Sequence, residues 1–218
     1  MTAKKSAESI KKSGKTAEER DTSTGITEEQ ALAQLENWPE APKSLGRTII
    51  GHYGPPHEMT PTKMFWYRVE QWAQMELTAD EVVHNFPTPH TDFFAQFVEY
   101  PVDPAKVAEV AAFDGSVIIN RTAGQIGSRC DTEGANTLTL NVLVDLLGGR
   151  KSLAEARTFL AENLAAFGMG RDAPYAEKLQ FTPVPSSPDP DEGIMGQAAM
   201  DQIVEKVKDV VGEGNPPS

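Results

Sequence analysis

Apolar side chains recur at helical spacing most clearly in the second half of the chain. Leu138, Leu140, Val142, Leu143, Leu146 and Leu147 follow Asp131 and Glu133, and Gly148-Gly149 ends the run. A carboxylate cap, an acidic first turn and a glycine stop predict a helix that starts at Asp131. Ser152-Leu-Ala-Glu155 is a capping box, followed by a stripe of Leu153, Ala156, Phe159, Leu160, Leu164 and Phe167 up to Gly168. The link between the two helices is short, so they are expected to pack antiparallel.

The first half alternates rather than spirals. Phe65, Tyr67 and Val69 interleave with Trp66, Arg68 and Glu70, a strand pattern; read as a helix, the same stretch would turn the protein all-α. Arg47 to Tyr53 and Ser116 to Asn120 also read as strands. Thr27, followed by Glu28 and Glu29, predicts a short helix bearing Leu32, Leu35 and Trp38, ended by Pro39 and Pro42. Thr78-Ala-Asp-Glu81 reads as a capping box with a short helix behind it, carrying Val82, Val83 and Phe86. Asp92 is placed to cap a further turn bearing Phe93, Phe94 and Phe97, and Asp103-Pro104 opens a helix through Val107 and Val110.

The architecture these elements imply is α+β. A small, mainly antiparallel sheet (about residues 47–53, 64–72 and 116–121) packs against the helical hairpin at 131–167, with flexible N- and C-terminal tails. Residues 1–26 are lysine-, serine- and glutamate-rich and are expected to be a disordered basic tail. One domain spans 27–181. A Pro/Ser-rich linker follows at 182–197, then an amphipathic helix at 198–212 with Met200, Ile203, Val204 and Val207 on one face, and a disordered end at 213–218.

Composition narrows the partners. The net charge is −12 and the pI about 4.8, which repels phosphate and argues against nucleic acid and anionic lipid. No apolar run reaches the roughly 20 residues that span a bilayer. The first 20 residues lack the apolar stretch of a secretory signal, and a single cysteine cannot close an internal disulfide. A cytoplasmic protein is expected.

The four histidines, His52, His57, His84 and His90, fall in one short stretch. His52 and His57 bracket a Gly-Pro-Pro turn beside Glu58. His84 and His90 bracket Asn85-Phe-Pro-Thr-Pro89, with Asp92 close by. Two loops that each present imidazoles and a carboxylate are suited to Zn²⁺ or Fe²⁺, although neither pair has the His-x3-His spacing of a helical site. Without a metal, His84 assisted by Asp80 or Asp92 is a general acid–base pair. Cys130, just ahead of the predicted helix start and beside Arg129, is a candidate nucleophile. Arg121, Gly124, Gly127, Ser128 and Arg129 lie where a strand passes through a loop into that helix, a place for a small anion, although neither a P-loop nor a dinucleotide fingerprint is present.

Three functions fit these residues. The reading favoured by the unlike tails and the missing reaction motif is a non-catalytic scaffold, which contacts partner proteins or a second copy of itself through its tails and an aromatic surface. The aromatic set runs from Phe65 to Tyr100. The alternatives are a small hydrolase or isomerase with a histidine–carboxylate site, aided by a metal or not, and a small-anion binding module.

Overall fold

The computed structural model describes residues 25–184, 191 and 194–212. Of these, residues 25–184 belong to one unit and the C-terminal helix to another. Most of the expected tail, half of the linker and the last six residues lie outside the described residues. Among those described, no helix is long and apolar enough to cross a membrane.

Helices α1 (Glu28–Leu35) and α2 (Glu40–Tyr53) open the chain, followed by strands β1 (Glu58–Met59), β2 (Lys63–Val69), β3 (Trp72–His84) and β4 (His90–Glu99). A short helix, α3 (Val107–Phe113), leads to β5 (Val117–Asn120) and β6 (Gln125–Cys130). Then come α4 (Glu133–Leu147), α5 (Leu153–Gly168) and the single turn α6 (Pro174–Glu177). The separate C-terminal helix is α7 (Gln197–Gly212), on which Met200, Ile203 and Val204 are exposed.

The six strands form one antiparallel sheet in the order β1-β2-β3-β4-β6-β5. The α+β class and the C-terminal hairpin of α4 and α5 are as the pattern implied. Helix α4 is buried on every side from Ala135 to Asp145, which marks it as the central helix. Trp66, Trp72, Met75, Leu77, Phe94 and Ile126 from the sheet meet Leu35, Ile49, Ile50, Leu138 and Leu140 from the helices in one core.

Three local expectations are corrected. Residues 47–53 are helical. Pro39 and Pro42 do not end a helix there but sit at its N-cap and in its first turn, where a missing N–H costs nothing. Gly46 lets α2 approach, since a Cβ would stand 2.8 Å from Leu35 Cδ1. Thr78-Glu81 starts no helix. Thr78 Oγ1 accepts from the Asp80 amide instead, and the segment is a bulge. Finally, Phe93, Phe94 and Phe97 lie on β4, whose near-continuous burial from Asp92 to Gln96 fits a central strand covered on both faces.

That bulge positions the residues described next. Leu77 pairs with Phe94, but the next pair is Val82 with Asp92: five steps along β3 against two along β4. Beyond it the two strands run on as a hairpin arm, with Val83 opposite Thr91 and His84 opposite His90.

Candidate metal centre

Strand geometry alone brings three side chains together. His90 and Asp92 are two residues apart on β4 and therefore share a face; His84 is the cross-strand partner of His90. Their donor atoms all lie within 4.8 Å of one another. His90 Nε2 is 3.1 Å from Asp92 Oδ1, and His84 Nδ1 is 3.5 Å from Asp92 Oδ2. The imidazole rings meet edge to face at 5.0 Å. The carboxylate is 7% exposed and each imidazole 17%.

The far nitrogens of both rings are already engaged. His90 Nδ1 lies 2.7 Å from the Thr88 carbonyl, which can only accept, so this nitrogen carries the proton. His84 Nε2 lies 3.4 Å from Asp114 Oδ1, and Asp114 is itself fixed by the amide and hydroxyl of Ser116, both at 2.8 Å. In the neutral rings the near nitrogens, His84 Nδ1 and His90 Nε2, are then the ones that carry lone pairs. Despite the short separations, His84 Nδ1 and Asp92 Oδ1 are buried with no hydrogen-bond partner. Burial raises the Asp92 carboxyl above its usual range and outweighs the pull the two imidazoles exert when protonated; the Asp114 charge pushes it further up. Two near nitrogens and a carboxylate converge here with two of their buried atoms lacking a hydrogen-bond partner, an arrangement that a cation satisfies.

Arg157 on α5 braces this arm. Its guanidinium lies 3.8 Å from the Phe86 ring centroid, and Nη1 donates to the carbonyls of Ala112 and Phe113, just before Asp114. No local pattern in the sequence marks Arg157 or Asp114, because both act across long chain separations.

Of the other residues singled out from the sequence, only Cys130 reaches this cluster, at His90. His52 is exposed on α2, 3.9 Å from Glu70. His57 Nδ1 accepts from the Tyr67 amide and serves the β1–β2 connection; burial lowers its pKa. Cys130 ends β6, and the N-cap of α4 is Thr132 rather than Asp131, so the thiol does not sit at the helix entrance. Cys130 Sγ is 3.5 Å from His90 Nε2. Burial and then the Asp131 charge push the thiol well up, which is the reverse of what a thiolate nucleophile needs.

The strand–loop–helix anion cradle is also corrected. Residues 120–125 are the turn of the β5–β6 hairpin, with Gly124 at φ 64°. Gly127 and Ser128 are buried within β6. A Cβ on Gly127 would stand 2.6 Å from the Phe97 ring, so this glycine makes room for packing. Arg121 and Arg129 lie at either end of the same hairpin and do not flank a helix N-terminus.

The aromatic surface required by a scaffold is absent among the described residues. Trp66, Trp72, Phe93 and Phe94 are at most 3% exposed and belong to the core. The rest of the set, Phe65, Tyr67, Phe86, Phe97 and Tyr100, is half-buried, so none of these rings is exposed, and with a histidine–carboxylate cluster assembled the scaffold reading is overturned in favour of the site.

No family model, no curated protein and no solved structure matches this chain.

Proposed function

We propose that the chain is a metal-assisted enzyme of the hydrolase or isomerase type, with His84 Nδ1, His90 Nε2 and the Asp92 carboxylate as the metal ligands. The observation that carries this reading is the pair of buried, unpartnered donor atoms, His84 Nδ1 and Asp92 Oδ1, in a cluster whose outward nitrogens are already tied down. Two imidazoles and one carboxylate suit Zn²⁺ or Fe²⁺, and three protein ligands leave a position open for a substrate or water. When bound, the ion supplies Lewis acidity. Asp114 and the Thr88 carbonyl hold the two rings in the tautomers that ligation requires. Asp92 sets a buried negative charge between them.

The test is metal analysis of tag-free, full-length protein after dialysis against Zn²⁺ or Fe²⁺. One equivalent is expected. It should be lost in His84→Ala and in His90→Ala, and kept in His52→Ala and His57→Ala. Protein that retains no metal, or that loses it equally in the His52 and His57 variants, would refute the assignment.

A further inference from the structure

His90 and Cys130 belong to two surroundings at once. His90 faces Asp92, and together with Cys130, whose Sγ lies 3.5 Å from the same Nε2, it also lines a half-open cavity of about 350 Å³ between the hairpin arm and the α4–α5 pair. The far wall is apolar: Ala135 from α4, and Ala161, Leu164, Ala165 and Phe167 from α5. Alanines on two turns of α5 leave the space open. Phe167 is seated against Gly134, which has no room for a Cβ beneath that ring. The polar end consists of His90, Asp131 and Thr132.

Size and charge define what fits. The volume is at the small end of ligand sites yet ample for one six-membered ring and a polar head. Helix α4 starts at this end, but it offers no anion site. The Thr132 hydroxyl already takes the Ala135 amide, and Asp131 places a carboxylate in the lining beside the helix entrance. The chain as a whole carries −12. An anionic tail is repelled, and an uncharged apolar one is received.

We infer that the substrate is a small uncharged molecule with an apolar group of about one ring. The apolar group would rest on Ala161, Leu164 and Phe167, and the polar reacting group at His90. This rests on the metal-site reading above and specifies its substrate class.

Hydroxamates test it, because their common head chelates the metal while the tail is varied. Titration calorimetry on zinc-loaded full-length protein would compare acetohydroxamate, benzohydroxamate and 4-carboxybenzohydroxamate, with zinc content measured on the same samples. Benzohydroxamate is expected to bind roughly tenfold tighter than acetohydroxamate, the return on burying most of one ring face. The carboxylated ring should lose that gain. Ala161→Phe, which fills the cavity, should bring the two uncharged probes to equal affinity at unchanged zinc content. Leu164→Ala, which strips the wall, should reduce the ratio as well and serves if the first variant does not fold. Zinc bound at one equivalent with no preference for the ring, or with the carboxylated ring bound as well as the plain one, overturns the inference and leaves the metal site standing. Protein that holds no zinc overturns both.

Discussion

Two carboxylates in this protein are buried to almost the same degree and live in opposite circumstances. Asp145, on α4, is 8% exposed, and Asp92, on β4, is 7%. Around Asp145 every oxygen is served: Arg150 Nε at 2.7 Å and Lys151 Nζ at 3.3 Å, with the Tyr175 hydroxyl donating at 3.1 Å. One turn earlier, Asn141 donates to the carbonyls of Tyr175 and Lys178 and accepts from the Gln180 amide. The chain after α5 is thereby tied to the central helix. Burial raises the Asp145 carboxyl, but the bonds from Arg150, Lys151 and Tyr175 outweigh it and the net shift is downward. Asp92 has neighbours at similar distances but an Oδ1 with no hydrogen-bond partner, and its shift is upward. Equal burial with opposite satisfaction separates a structural carboxylate from one that awaits a ligand.

The largest effect expected from this contrast is at the structural end. Asp145→Ala should destabilise the protein by about 2–3 kcal/mol in urea unfolding, since several charge-assisted bonds are lost while two of the partners can turn to solvent. The pH dependence follows from the downward shift. The unfolded chain takes up this proton before the folded one does. The contribution is therefore complete above about pH 5 and is lost as the pH falls through the folded value, below 3.8. Wild type and Asp145→Ala should converge in stability on acidification; curves that stay parallel down to pH 2 would mean that Asp145 is not the group involved.

Next in size are effects at the metal end that act through a supporting residue. Asp114→Asn keeps the shape but weakens the hold on His84 Nε2. Zinc affinity should fall by about 10–100-fold, with stoichiometry restored at high zinc. An unchanged affinity would show that His84 is oriented by packing alone. Arg157→Lys keeps the charge but loses the flat stack on Phe86 and the forked donation to Ala112 and Phe113. A loss of up to about tenfold in zinc affinity is expected from a loosened arm. A drop as large as that of His84→Ala would place Arg157 nearer the metal than its contacts suggest.

The helical half of the fold was legible because its signals are local. Ser152 forms the capping box its spacing announces, Thr27 starts the helix expected of it, and the hairpin of α4 and α5 follows from two adjacent stripes. The misreadings share a physical cause: the same short motif is satisfied by two conformations, and distant packing chooses. Thr78-Glu81 has the letters of a helix start. Behind it, Val82 and Val83 have no core to face and are instead exposed on a paired strand. Pro39 and Pro42 read as a helix stop but lie at a helix start, where proline fits equally well. The site was half legible. His84, His90 and Asp92 were singled out by type and proximity, and a strand reading of His90-Thr-Asp92 would have put the last two on one face. His52 and His57 looked equivalent in the sequence, because nothing in it shows that α2 and the β1–β2 turn lead away from the hairpin arm. Asp114 and Arg157 reach the site from separate elements and leave no mark in the linear order.

The smallest effect is the one that divides the two carboxylates most sharply. Asp92→Asn removes a buried charge whose burial is its dominant perturbation, and it introduces an amide donor that can reach one of the two imidazole lone pairs. Metal-free Asp92→Asn should therefore match the wild type or exceed it by up to about 1 kcal/mol, as happens where a site is held unsatisfied for function. Zinc binding should be lost at the same time. The comparable change at the other centre, Asp145→Asn, should destabilise, because Arg150 and Lys151 lose the charge they pair with. Urea unfolding of the two variants in chelator-treated buffer measures the difference directly. If Asp92→Asn instead costs 2 kcal/mol or more, then Asp92 stabilises the fold much as Asp145 does. The unpartnered atoms would then be a consequence of close packing, and the argument that they wait for a cation would lose its ground.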